Sequence, residues 1–277
     1  MARSPELQTT DPFGPTHIVE SAIEHTHTAV ILHGRGSNGL EFAQELFDET
    51  LFVDGTNLAQ KLPNWRWVFP TSRELWSEMF QEDMPAWFEA YSLTDTTAKQ
   101  DLQIPGIKES TDYIKRIIDA EINILDGESN RAVLGGISQG GAIAMWTLLR
   151  RRTETPLGAF FGTNTWLPFA LSLQDYSNQT PMAEKHEGTT FVNDILGQPT
   201  SQNPDLSTPI FLGHGTDDTY VDVELGRQAR DALSRIGYSV KWKEYQGAEL
   251  EGHWIKAPEE LDDLVHFFTT TLKLDHV

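Results

Sequence analysis

The sequence predicts an α/β fold, a mostly parallel, doubly wound sheet with helices on both faces, and three observations carry that expectation. Short β-branched or apolar runs alternate with longer helical segments, which is the pattern of strand–helix–strand units. Several runs are apolar throughout rather than alternating, as strands covered on both faces must be. The third observation is size: 277 residues, 39% of them hydrophobic, suit one sizeable core, and no Pro/Gly/Ser linker, low-complexity tract or repeat divides the chain. A single domain over residues 1–277 is expected.

Taken in order, residues 1–15 are polar and broken by Pro5, Pro12 and Pro15, and read as a surface arm. Thr28 to Leu32 is a buried strand ending in His33-Gly34-Arg35-Gly36-Ser37-Asn38-Gly39. Leu40 to Leu51 has helical spacing through Leu40, Ala43, Phe47 and Leu51. Trp65 to Phe69 is a second strand, closed by Pro70. Arg73 to Leu93 gathers Trp76, Met79, Phe80, Met84, Trp87, Phe88 and Tyr91 without clean periodicity, which suits a cavity lining and a packed core equally. Ser110 to Leu125 is an amphipathic helix with Ser110 as its cap. Ala132 to Gly136 is a strand, and the apolar run from Ala142 continues as helix to Arg151.

Leu157 to Phe161 reads as a strand and is followed by Trp166-Leu167-Pro168. The mostly polar stretch 169–205 exceeds an ordinary connection and is either a lid over a site or a surface excursion. Pro209 to Leu212 resumes the sheet, Val223 to Ile236 is helix, Ser239 to Tyr245 strand, and Glu259 to Leu272 a closing helix.

Bulk composition excludes several classes of function. The formal net charge of −20 opposes nucleic acid and anionic lipid as partners. With no cysteine, disulfides, thiolate metal sites and cysteine nucleophiles are ruled out. No signal-peptide core and no run of membrane-spanning length occurs. The expectation is a soluble, cytoplasmic protein without stable membrane association; nothing in the sequence sets an oligomeric state.

Chemistry centres on Gly136-Ile137-Ser138-Gln139-Gly140, placed between a strand and a helix. A serine that attacks a carbonyl must stand clear on a strained turn, and flanking glycines remove the side chains that would collide there. Ser138 is the candidate nucleophile. The following helix aims its first N–H groups at the place where an oxyanion would form. Gln139 supplies one such amide, and the loop at His33-Gly34-Arg35-Gly36 is placed to supply a second through Arg35, whose side chain need not take part.

Serine needs a base to take its proton and an acid to hold that base. His214-Gly215-Thr216-Asp217-Asp218-Thr219 follows a strand and offers Asp218, with Asp217 second; a turn or capping pair is the alternative reading. Gly252-His253-Trp254 lies between the last strand and last helix and offers His253 as base. No His, Asp and Glu grouping has metal-ligand spacing, so neither metal nor cofactor is expected.

These motifs resemble the phospholipase/carboxylesterase family of small α/β-hydrolases, which includes acyl-protein thioesterases. The resemblance is carried by Leu32-His33-Gly34-x-Gly36, Gly136-Ile137-Ser138-Gln139-Gly140-Gly141, Trp166-Leu167-Pro168, His214-Gly215 and Gly252-His253, and runs from about Thr28 to the C-terminus. It implies an α/β-hydrolase fold, a triad of Ser138, Asp218 and His253, and an oxyanion hole from the amides of Arg35 and Gln139. It also implies an acyl pocket bordered by Met84 to Phe88 and by Trp166 and Leu167, which makes Trp87, Phe88, Trp166 and Leu167 expected substrate-binding residues; Trp254 joins them on its own residue type, since Phe80, Trp87 and Trp254 suit an apolar pocket or ordinary core. Thr216 and Thr219 replace the family's usual Asp and Pro around the acid, and 169–205 is longer than its usual connection.

The expected activity is a serine carboxylesterase working through an acyl-enzyme on a small-molecule or acyl ester. The alternatives are a thioesterase or lysophospholipase for fatty-acyl substrates and, from another class, a hydrolase-like module that binds without turnover.

Overall fold

The computed structural model describes residues 12–78, 80–177, 187–197 and 204–274. Most of the expected surface arm, Met79 and parts of 169–205 therefore lie outside the described residues.

Strands β1 (His17–Val19), β2 (His27–Leu32) and β3 (Trp65–Phe69) form one end of the main sheet. A separate antiparallel hairpin pairs β4 (Arg73–Ser77) with β5 (Glu82–Ala86). The main sheet continues with β6 (Ala132–Ile137), β7 (Ala159–Thr163), β8 (Ile210–Gly215) and β9 (Val240–Tyr245). Its seven strands run in the order β1-β3-β2-β6-β7-β8-β9, and only β1 is antiparallel to its neighbour. The order reverses between β2 and β6, and ligands of open α/β sheets bind beyond the carboxyl ends of the strands at such a point.

Alternation along the strands divides the core into two layers. Val30, Leu32, Leu134, Phe160 and Leu212 face one layer, and Ala29, Ile31, Val133, Phe161 and Phe211 the other. Helices cover both. The first layer includes α3 (Gln103–Ile124), α4 (Ser138–Arg150), α5 (Ala170–Ser177), α6 (Glu187–Leu196) and α7 (Val223–Ile236). The second includes α1 (Gly39–Gln44), α2 (Leu58–Lys61) and α8 (Glu259–Leu272).

Three expectations change in detail. The helix expected over 40–51 is α1 followed by a π-turn, Glu45–Glu49, that Thr50 closes by donating its N–H to Glu45 O. Helix α3 begins seven residues before Ser110, because Pro105 is tolerated in a first turn, whose N–H groups have no helical partner. Ser110 is thus no cap; it is buried and donates its hydroxyl to Trp87 O at 2.7 Å. The aromatic stretch 73–93 supplies the β4–β5 hairpin, whose short two-stranded pattern its sequence hides.

The described residues of 169–205 include α5 and α6. Leu173, Phe191, Val192 and Leu196 are buried, with Phe191 edge-on to Trp146 of α4 at 4.9 Å. These four residues belong to the core of that face.

Candidate active site

Ser138 sits at the junction of β6 and α4 with φ +53°. A serine held in that left-handed region is strained, and surrounding contacts must hold it there. They do so through close approach: a Cβ on Gly140 would collide with the carbonyls of Leu32 and His33, and one on Gly136 would lie 2.8 Å from Gly140 C. Thr165 donates its hydroxyl to Ser138 O at 2.7 Å from the far side.

Gln139 is buried and uses its side chain as well as its amide. Its Oε1 accepts the Trp87 N–H at 2.8 Å and its Nε2 donates to Phe88 O at 2.7 Å, which ties the elbow to the segment after β5. Facing it across the sheet's switch point is the His33–Gly36 loop. The His33 Nδ1–H donates to Gly34 O at 2.6 Å, and its Nε2 accepts the Ser72 N–H at 3.0 Å. Burial pushes the His33 pKa down to about 4, so the ring is neutral and can fill both roles. Since C=O and N–H of one trans peptide point in opposite directions, fixing Gly34 O also fixes the direction of the Arg35 N–H.

His253 follows a loop in which Leu250, Glu251 and Gly252 all have positive φ, at 51°, 54° and 86°. Its Nδ1 donates to Asp218 Oδ2 at 2.7 Å, leaving Nε2 with a free lone pair. The Asp218 carboxylate is fully buried; Oδ1 accepts the N–H groups of Tyr220 and Val221 at 2.8 and 2.9 Å. These main-chain donors fix the carboxylate in place. Asp217, exposed, accepts the Gly247 N–H instead. Behind Asp218 stands His214, 3.5 Å away and bonded to Val221 O; burial lowers its pKa, so it is a neutral neighbour.

Further groups hold these loops together. Buried Asn164 donates to Trp254 O and accepts the Gly215 N–H, joining the ends of β7 and β8 to the histidine loop. Thr219 donates its N–H to Glu251 O and its hydroxyl to Glu251 Oε2 at 2.9 Å. A proline there could make neither bond, so the departure at Thr219 supplies a staple between the acid and base loops. Glu260 accepts from Thr163 Oγ1 and the Lys256 N–H, and its burial pushes its pKa up to about 7.

Ser138, His253 and Arg35 all border one cleft of about 590 Å³. Its apolar walls include Phe42, Phe80, Met84, Leu93, Leu250 and Trp254. Trp254 is held by a T-shaped contact with Phe42 and by donating its indole N–H to Thr50 Oγ1 at 2.8 Å. Four of the expected substrate-binding residues lie elsewhere. Trp87 and Phe88 are wholly buried: the Trp87 indole donates to His33 O, and its main-chain N–H to Gln139, so both are turned inward as supports of the site. Trp166 and Leu167 border a separate cavity of about 410 Å³ with Phe169 and Leu225. No described residue of 169–197 borders the main cleft.

The sequence gives little sign of Asn164, Glu260 or the His33 ring, because each acts through a partner distant in the chain. Phe42 and Leu250 are also missed as walls, since in sequence they look like an ordinary helix stripe and a loop residue.

Fold and elbow together define an α/β-hydrolase of the serine type. A family model described as phospholipase/carboxylesterase matches residues 14–192, and the chain belongs to that family. Acyl-protein thioesterase 1 of Gibberella zeae is 28% identical over 92% of this chain and 94% of its own length, and that of Yarrowia lipolytica 27% identical over 94% and 98%. Among solved structures, Zea mays acyl-protein thioesterase 2 is similar with a TM-score of 0.64 and 27% identity, covering 94% of this chain and 99% of that one. The protein is a carboxylic ester hydrolase.

Proposed function

We propose that Ser138, His253 and Asp218 act as a triad and that the amides of Arg35 and Gln139 stabilise the oxyanion. The observation carrying this reading is the 2.7 Å bond from His253 Nδ1 to the buried Asp218 carboxylate, at a cleft that Ser138 also borders. Ser138 Oγ bonds to the substrate carbonyl carbon as His253 Nε2 takes its proton. The bond to the alcohol or thiol then breaks, and His253 returns the proton to that leaving group. Water repeats the sequence on the acyl-enzyme and releases the acid, with Asp218 holding the imidazole throughout. All of this takes place in one domain spanning the chain, acting in the cytoplasm without a cofactor.

The substrate is a carboxylic ester with an apolar acyl group, which the Phe80, Met84 and Leu93 wall supports. A thioester on a fatty-acylated protein is the second reading, favoured by the relatives that are named acyl-protein thioesterases. Hydrolysis of p-nitrophenyl esters from acetyl to palmitoyl, with a palmitoyl thioester beside them, tests both. Wild type turns over part of this panel and Ser138→Ala falls by about 10⁴-fold or more. The preferred acyl length and leaving atom decide between the readings. No turnover by wild type, with no labelling of Ser138 by a fluorophosphonate, would leave a module that only binds.

A further inference from the structure

Sequence reasoning gives Arg35 a role through its amide alone. Its side chain is nonetheless one of the most heavily engaged in the molecule. Nε donates to Met84 Sδ at 3.1 Å, Nη1 to Ala90 O at 3.1 Å, and Nη2 to Ser77 Oγ at 2.7 Å. Glu89 Oε2 lies 3.9 Å from Nη2 and balances the charge, and the Phe80 ring covers the guanidinium at 5.2 Å. The next residue adds a main-chain bond, Gly36 N–H to Pro85 O at 2.8 Å. Both strands of the hairpin and the segment after it are therefore tied to one side chain in the His33–Gly36 loop.

This matters because the Arg35 amide must keep its direction while charge grows on the oxyanion. A donor that swings loses its differential stabilisation of the transition state. His33 holds the peptide from one side through Gly34 O; the guanidinium fork anchors it from the other. A planar fork with directed donors suits this task, and an ammonium on a flexible stem does not.

We propose that the Arg35 side chain is a positioning residue, a strut that braces the oxyanion loop against the β4–β5 hairpin and so sets the second oxyanion donor. The inference rests on the hydrolase reading above. It separates the strut from a simple wall: a displaced oxyanion donor slows every ester by the same factor, whereas a lost wall contact costs more as the acyl chain grows.

The experiment compares wild type, Arg35→Ala, Arg35→Lys and Ser77→Ala on acetyl, butyryl and hexanoyl p-nitrophenyl esters, with and without added guanidinium at concentrations well below those that unfold the protein. Arg35→Ala is expected to lose about 10- to 100-fold in kcat, with KM little changed and the factor constant along the series. Guanidinium partly restores it, and Arg35→Lys does not recover wild-type rates. Ser77→Ala shows a smaller uniform loss that does not add to that of Arg35→Ala, and it serves if Arg35→Ala does not fold. Wild-type kcat in Arg35→Ala, a loss growing with acyl length, or a loss that guanidinium leaves untouched would each overturn the proposal. An inactive wild type, or an active Ser138→Ala, would instead overturn the hydrolase reading beneath it.

Discussion

Asp217 and Asp218 are adjacent and chemically identical, yet the fold gives them opposite surroundings. Asp218 is buried against His253 and two main-chain donors, and Asp217 is exposed on the Gly247 amide. Asp218→Asn keeps the size but presents an amide that cannot hold the imidazole in the required tautomer, so kcat should fall by about 10³- to 10⁴-fold. Asp217→Asn should stay within about threefold of wild type, since it loses only an exposed turn contact. Steady-state kinetics on one short ester checks both, and equal losses would show that the acid has been misassigned. The sequence could rank these two carboxylates but not separate them, because direction is set by the turn and not by the residue type.

Among the elements, the loops matter more than the strands they extend. Strands β6 and β8 flank β7 and run parallel to it, which brings Ser138 and the 214–219 loop to the same carboxyl end of the sheet. The loop from 247 to 254 is then fastened by Asn164 and by Thr219 with Glu251. Thr219→Pro removes both staple donors at once. It should cost about 1–3 kcal/mol of stability and lower kcat more than KM is raised, because the loop carrying His253 is loosened. Urea unfolding beside kinetics measures this; unchanged values for both would show that the staple carries no force. The hairpin β4–β5 shows the opposite limit of legibility. Burial alternates along β4, but polarity does not follow it: Ser77 is buried against Arg35 while Trp76 is exposed, so the strand's period cannot be read from its residue types.

At the scale of the whole molecule, buried titratable groups couple the site to pH. Glu260 has its pKa raised from 4.5 to about 7 by burial, so its folded form favours the proton more than the unfolded chain does. Its contribution to stability is full below about pH 4.5 and is lost as pH rises through about 7, on the order of 3 kcal/mol in all. Glu260→Gln should remove this slope, so the variant gains on wild type between pH 4.5 and 7.5 in urea unfolding. Parallel curves for the two proteins would sink the assignment. His33, lowered to about 4 by burial, works in the other direction: its contribution is present above about 6.5 and lost as pH falls through 4. Among the described residues, no helix is long and apolar enough to cross a membrane.

By itself the sequence determined the alternating strands and helices, the elbow at Ser138, the candidates Asp218 and His253, and the boundaries of α7 and α8. Those features are local: apolar runs, periodic stripes and glycines whose absence of a side chain is visible in one dimension. Only the tertiary structure decided that Trp87 and Phe88 pack beneath the cleft, that Phe42 and Leu250 wall it, and that the Arg35 side chain bonds to the β4–β5 hairpin. Each of these depends on which distant residue a side chain meets once the sheet reverses between β2 and β6, and a residue's identity does not encode its neighbour across the fold.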